Sequence, residues 1–157
     1  MLEGRRIALI EDDEIMGGSL HQRMELEGAH VVWLKTLHRA LGALRTPRQP
    51  FDAVVCDIRL PDGTGEDLFR DLCEHNVPPP FLFMAGAGAT DQAVRLWRSG
   101  AADYLVKPFD LDQFLERLGA CFVCPLQHRM SCGQGYSAEF EKVLKVSLLS
   151  ESLPATA

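Results

Sequence analysis

The chain has 157 residues, 46% hydrophobic and 24% charged, enough for the core of one domain plus a modest extension. Its net charge is −6, from 16 Lys and Arg against 22 Asp and Glu, without a dense basic run that would bind DNA or RNA phosphates. No apolar run approaches the roughly 20 residues of a membrane helix, and the N-terminus lacks the pattern of a signal peptide. We therefore expect no membrane contact, a cytoplasmic location and reduced cysteines.

Strand-like and helix-like segments alternate along the first 120 residues. Short apolar runs predict five strands, at RIALI (6–10), HVVWL (30–34), DAVVCD (52–57), FLFM (81–84) and DYLV (103–106). Apolar residues at helical spacing predict a helix after each strand, with Thr90 as the cap of the fourth. Five βα units with near-continuous apolar strands indicate a parallel sheet covered by helices on both faces.

Residues 1–120 complete this α/β pattern and form one predicted domain. Residues 121–157 predict a linker and then an amphipathic helix that begins near Ser137. This segment also contains a C-x2-C-x3-H-x3-C spacing of residue types that bind zinc: Cys121, Cys124, His128 and Cys132. Cys121 continues the apolar stripe of the fifth helix, however, and chance spacing is the favoured explanation.

Charged residues end three of the predicted strands. Glu11, Asp12 and Asp13 follow the first strand, Asp57 ends the third, and Lys107 follows the fifth. If the strand order is 2-1-3-4-5, the first and third strands adjoin where the order reverses, and these side chains converge there. Clustered carboxylates favour a cation, and their hard oxygen atoms suit Mg²⁺. Such a site could accept a phosphoryl group, with Asp57 as the nucleophile and with Mg²⁺ and Lys107 neutralising the phosphoryl oxygens.

Three segments, ALIEDDE, VVCDIRLPDGTG and DYLVKPF, resemble in order and spacing the receiver domain of bacterial two-component response regulators. The resemblance covers roughly residues 6–119. It implies a flavodoxin-like (βα)5 fold with strand order 2-1-3-4-5, in which a sensor histidine kinase phosphorylates Asp57. The implied cofactor is Mg²⁺, held by Glu11, Asp12, Asp57 and the backbone carbonyl of Arg59, with Asp13 as the alternative if the register shifts by one.

The same resemblance implies roles near the fifth strand. Lys107 matches the lysine that contacts the phosphoryl group, and Pro108 matches a proline that follows a cis peptide bond. Members of the family normally carry Ser or Thr at the end of the fourth strand, where this chain has Ala85. Tyr104 matches an aromatic residue that moves when that hydroxyl moves. Here it is either turned inward permanently or simply packed on its strand, and we expect phosphorylation with weakened coupling to the rest of the domain.

The resemblance describes a signalling module that catalyses only its own phosphorylation and slow dephosphorylation, and is not a metabolic enzyme. Residues 121–157 resemble, more weakly, the segment that joins a receiver to the ATPase domain in NtrC-type activators of alternative sigma factors. They would lead into an output domain that regulates transcription, and their helix could pair in a homodimer. One alternative is an interaction module independent of phosphorylation, which Ala85 favours. An Asp-nucleophile phosphatase would need a second acid two residues after Asp57, where Arg59 stands.

Overall fold

The computed structural model describes residues 1–75 and 77–122, which form a five-stranded parallel sheet with helices on both faces. The strands are β1 (Arg6–Ile10), β2 (His30–Leu34), β3 (Ala53–Asp57), β4 (Phe81–Ala85) and β5 (Asp103–Val106). Their order across the sheet is β2-β1-β3-β4-β5, and each neighbouring pair is parallel. The predicted fold class and strand order are confirmed.

Five helices connect and cover the strands. They are α1 (Glu14–Leu26), α2 (Leu37–Arg45), α3 (Gly65–His75), α4 (Thr90–Arg98) and α5 (Leu111–Ala120). Side-chain caps begin four of them, because Asp13, Thr36, Thr64 and Asp110 accept hydrogen bonds from backbone amides of the first turn. The predicted Thr90 cap is wrong: Thr90 is the first residue of α4, and its hydroxyl donates to the carbonyl of Ala87 at 3.4 Å.

The strands are apolar at nearly every position because the sheet buries both of its faces. One core lies between the sheet and helices α2, α3 and α4, and Val54, Phe81 and Phe83 contribute to it. The other lies between the sheet and helices α1 and α5, and includes Val55 and Leu82. Neighbouring residues of a strand thus serve opposite cores, which leaves the strand ends as the place for polar groups.

The connection from β3 to α3 holds the end of β3 in place. A two-residue antiparallel ribbon, Arg59–Leu60 with Gly63–Thr64, follows β3, and the Gly65 amide then donates to the carbonyl of Ile58 at 2.7 Å. A β-carbon on Gly65 would lie 2.5 Å from the carbonyl oxygen of Asp57, closer than real β-carbons approach backbone. Glycine is therefore required for α3 to begin this close to Asp57.

Several predictions concern residues outside the described part of the chain. Of the predicted linker and helix of residues 121–157, only residues 121 and 122 are described. The candidate zinc ligands Cys124, His128 and Cys132 lie outside the described residues. Cys121 is described and buried at the end of α5, where its thiol donates to the Arg117 carbonyl at 3.3 Å. Among the described helices, none combines the length and apolarity needed to cross a membrane.

Candidate functional site

Three carboxylates meet at the edge of the sheet formed by the carboxyl ends of its strands. Asp57 is the last residue of β3 and is 8% exposed, and Glu11 directly follows β1 and is 0% exposed. Asp12, the next residue, is exposed. One carboxylate oxygen from each of the three lies within 4.8 Å of the others. The adjacency of β1 and β3 brings these residues together, as expected where the strand order reverses.

Lys107 supplies a positive charge to this carboxylate cluster, which we define as Glu11, Asp12 and Asp57. It follows β5, its amide donates to the carbonyl of Ala85 at 2.7 Å, and its peptide bond to Pro108 is cis. Its Nζ atom lies 2.9 Å from Asp57 Oδ2 and 3.1 Å from Glu11 Oε2. One ammonium group therefore bridges the two buried carboxylates.

The chain after β1 separates the roles of its three consecutive acids. Glu11 turns inward, where its Oε1 accepts from the amide of Asp13 at 3.1 Å. The indole Nε1 of Trp33 also donates to the Glu11 carbonyl at 2.8 Å. Asp13 points instead to α1, and its Oδ1 accepts from the amides of Ile15 and Met16, both at 2.9 Å. This geometry favours Glu11 and Asp12 over Asp13 as the acidic pair beside Asp57.

Burial and mutual repulsion shape the electrostatics of the cluster. Burial, with a smaller contribution from the charge of Asp57, raises the pKa of Glu11 to about 7 against the opposing hydrogen bonds from the Asp13 amide and Lys107. Partial burial of Lys107 disfavours its charged form, but its hydrogen bonds to Asp57 and Glu11 outweigh that effect and raise its pKa. The ammonium group is thus charged at neutral pH. It is a single cation set against three carboxyl groups.

Comparison with known proteins identifies the family. Residues 7–119 match the family described as response regulator receiver domain. The chain belongs to that family. It is 38% identical over 115 residues to the response regulator protein PmrA of Pseudomonas aeruginosa, which covers 73% of this chain and 51% of PmrA. It is 36% identical over 115 residues to the transcriptional regulatory protein QseB of Escherichia coli O157:H7, covering 73% of this chain and 52% of QseB.

Solved structures agree with the sequence relatives. The non-phosphorylated HemR receiver domain from Leptospira biflexa superposes with a TM-score of 0.70 at 38% identity, covering 76% of this chain and 95% of the HemR domain. The chain spans about half the length of the first curated relatives it matches. Residues 7–119, which match the receiver family, include the whole carboxylate cluster and Lys107.

The end of β4 in this receiver domain offers no hydroxyl group toward the cluster. Ala85 is buried, and the next four residues are Gly, Ala, Gly and Ala, three of them in a short 3-10 turn. Tyr104 pairs with Phe83 across β4 and β5 and packs, partly buried, against the core that contains α2, α3 and α4. The predicted switch positions, Ala85 and Tyr104, thus lie on adjacent strands beside the site.

Arg59 makes contacts that the sequence did not predict. The prediction used only its backbone carbonyl, but its amide also approaches Asp57 Oδ1 at 3.4 Å. Its side chain is exposed and extends across to the β4 side, where Nη2 lies 3.1 Å from the point at which a β-carbon on Gly88 would stand. The signal available in the sequence was a long cationic residue two positions after a strand-end aspartate, opposite an alanine-glycine run.

Proposed function

We propose that this receiver domain accepts a phosphoryl group from a sensor histidine kinase onto Asp57. The observation that carries the proposal is the placement of the Asp57 carboxylate, 8% exposed at a strand end and 2.9 Å from the Nζ of Lys107, beside two further acids. The remaining exposure leaves the residue in contact with solvent, and the hydrogen bond to Lys107 holds the carboxylate in position. A fixed nucleophile beside a fixed cation suits phosphoryl transfer.

The transfer forms one bond and breaks one. An Asp57 oxygen bonds to phosphorus while the bond between phosphorus and the imidazole nitrogen of the phosphohistidine breaks, and the electron pair stays on that nitrogen. Lys107 needs no proton transfer in this step, because it acts as a charge beside the phosphoryl oxygens. Water attack on the aspartyl phosphate later returns inorganic phosphate and free Asp57, which accounts for slow self-dephosphorylation.

Mg²⁺ is the proposed cofactor, and the donor set fits it. Glu11, Asp12 and Asp57 each offer one hard oxygen atom within a common 4.8 Å, and the exposed Asp12 leaves room for water ligands. The backbone carbonyl of Arg59 is the fourth proposed protein ligand. When bound, the ion would supply positive charge for the carboxylates and for the oxygens of the transferred group.

We also propose that the domain regulates an output domain outside this chain and acts in transcription. The relatives that support this are named as response regulators or transcriptional regulatory proteins, and this chain covers only about half of each. The NtrC-type connection, the division at residue 120, homodimer formation, absence of direct nucleic acid contact and a cytoplasmic location remain predictions of the same proposal.

Ala85 supports a second candidate, a receiver fold used for interactions without phosphorylation. A hydroxyl on β4 would form a charge-assisted hydrogen bond to a phosphoryl group, and Ala85 cannot. If Asp57 is phosphorylated, the missing hydroxyl at position 85 supports weak coupling between the phosphoryl group and the rest of the domain. The two differ in whether Asp57 gains phosphate at all, which makes the chemistry of Asp57 the deciding measurement.

The test is phosphorylation with a small phosphodonor. We expect the 157-residue chain, incubated with Mg²⁺ and acetyl phosphate, to gain the mass of one phosphoryl group at Asp57, and both Asp57→Asn and removal of divalent cations to abolish the gain. Asp67→Asn is the matched control, since Asp67 lies in the first turn of α3 and its carboxylate accepts from the Thr64 amide, a contact that Asn can keep. No Asp57-dependent gain would reject the first candidate in favour of the second.

A further inference from the structure

An aspartyl phosphate at Asp57 would place about two negative charges at the site at neutral pH. Lys107 is already shared between Glu11 and Asp57, at 3.1 Å and 2.9 Å. The end of β4 contributes Ala85 and a run of glycine and alanine, and the first hydroxyl after them along the chain, on Thr90, donates to the Ala87 carbonyl. Beside Lys107 and the proposed Mg²⁺, the end of β4 and the four residues after it therefore contribute no side-chain donor to a phosphoryl group.

Arg59 is the positive group in the right position. Its backbone amide approaches Asp57 Oδ1, which places the start of the side chain next to the proposed phosphoryl group. Its guanidinium reaches the loop after β4, where Nη2 lies 3.1 Å from the position of a β-carbon on Gly88, three residues after Ala85. Within residues 1–75 and 77–122, this guanidinium makes no ion pair and no side-chain hydrogen bond.

We propose that the Arg59 guanidinium binds the phosphoryl group on Asp57 from the β4 side, replacing the contact that a hydroxyl at position 85 would make. The inference rests on the proposed function. A guanidinium presents several N–H donors in a plane, matches the oxygens of a phosphoryl group and stays charged at any relevant pH. Its flexible stem lets it move from Gly88 to the phosphoryl oxygens without a change in the backbone.

Gly88 is the second element of this arrangement. The 3.1 Å separation leaves no room for a β-carbon unless the guanidinium moves. Glycine at this position therefore allows the cation to rest on the loop backbone in the unphosphorylated state. Gly86, two residues earlier, has no atom within 4 Å of its would-be β-carbon, so the crowding at Gly88 is not shared by Gly86.

The experiment uses beryllofluoride, which imitates a phosphoryl group on aspartate, with Mg²⁺ and the 157-residue chain. We expect Arg59→Ala to weaken beryllofluoride binding about tenfold, as loss of a charge-assisted hydrogen bond implies, and Arg59→Lys to weaken it less. Mg²⁺ affinity without beryllofluoride, read from Trp33 fluorescence in a Trp97→Phe background, should not fall, because the substitution keeps the Arg59 backbone carbonyl and removes only a positive charge. Thermal melting checks that each variant is folded.

A second substitution tests whether the two contacts are equivalent. Ala85→Thr in the Arg59→Ala background should restore most of the lost beryllofluoride affinity. The same Ala85→Thr substitution in the parent chain should increase beryllofluoride affinity by a smaller factor, because Arg59 already makes the contact there. The role of Arg59 would be overturned if the parent and Arg59→Ala bound beryllofluoride equally well. It would also be overturned if Arg59→Ala lost Mg²⁺ affinity by the same factor as beryllofluoride affinity. If the parent chain shows no Asp57-dependent beryllofluoride binding or phosphorylation, the proposed function itself fails.

Discussion

The bridge that Lys107 makes between Glu11 and Asp57 leads to a quantitative prediction about stability. Replacing Lys107 with Met keeps most of the apolar stem and removes the charge. Two carboxyl groups, 0% and 8% exposed as residues, then lose the cation that lies 3.1 Å and 2.9 Å from them. We expect the substitution to destabilise the metal-free domain.

The magnitude follows from the burial of the three groups. Removing one partner of a buried ion pair costs about 3–5 kcal/mol, because the remaining charge is left in a poorly solvated place. The Lys107 side chain retains 23% exposure, and Glu11, with its pKa already raised to about 7, can take up a proton to relieve the repulsion. Both effects lower the cost, and we expect a loss of about 2–4 kcal/mol in the free energy of unfolding.

The assay is urea unfolding, followed by circular dichroism at neutral pH in the presence of a metal chelator. The urea concentration at the midpoint is compared between variants whose free energy of unfolding depends on urea with the same slope. Lys35→Met is the matched control: Lys35 lies 2.9 Å from Glu14, but the two side chains are 46% and 80% exposed, so little change is expected. Mg²⁺ should recover much of the stability of Lys107→Met, because a cation that binds only the folded state stabilises it. A loss in chelator no larger than that of Lys35→Met would refute this account of the cluster.

Three further predictions follow from other parts of the structure. Gly65→Ala should cost about 1–3 kcal/mol because its β-carbon would lie 2.5 Å from the Asp57 carbonyl, whereas Gly42→Ala in α2, with no atom within 4 Å, should stabilise by about 0.5–1 kcal/mol in the same urea assay. Asp62 accepts from the amides of Leu37 and His38 at 2.7 and 2.9 Å, and these bonds lower its pKa. The ionised Asp62 carboxylate should stabilise the fold fully above its ordinary pKa of 3.8, and this stabilisation should be lost as the pH falls through its lower pKa in the folded state. The free energies of unfolding of Asp62→Ala and the parent should therefore converge in acid. Burial raises the thiol pKa of Cys56 far above its usual range and that of Cys121 to about 12. Both thiols should therefore be alkylated much more slowly in the folded chain than in urea, as measured by peptide mass spectrometry. Equal alkylation rates in the two conditions would contradict the burial of these thiols.

The sequence was sufficient for the sheet because burial on both faces leaves a simple signature. Runs such as RIALI and FLFM contain apolar residues at consecutive positions, as a strand covered on two sides requires, and both are strands in the structure. The strand order also predicted where the acidic residues lie, because a charged residue at the end of a buried strand lies at the edge of the sheet and not in the apolar core. Glu11, Asp12, Asp57 and Lys107 therefore converge where the pattern of strand ends suggested.

Contacts made by flexible side chains were beyond the sequence pattern. The indole of Trp33 reaches the Glu11 carbonyl from the neighbouring strand, and nothing in the run HVVWL distinguishes that tryptophan from an ordinary core residue. Thr90 has the residue type and position of a helix cap, yet the chain enters α4 through a 3-10 turn and places Thr90 one residue inside the helix. In both cases the outcome depends on the direction of the backbone just before the residue, which a local pattern does not contain.

Ala85 changes meaning once the surroundings of Arg59 are included. Considered alone, an alanine at the end of β4 indicates a site that cannot register its own phosphorylation. The β3 side of the site, however, is connected to the rest of the domain. Arg59 reaches Gly88, and the ribbon that begins with Arg59 leads to α3 through Gly65. Asp62, in the turn of that ribbon, accepts from the first amide of α2. A phosphoryl group that drew Arg59 away from Gly88 would therefore act on the β4 loop from β3, although β4 itself contributes no hydroxyl. The response of the β4 loop to phosphorylation should then depend on Arg59, and comparison of amide hydrogen exchange at residues 86–89 in the parent and Arg59→Ala, with and without beryllofluoride, measures that dependence directly.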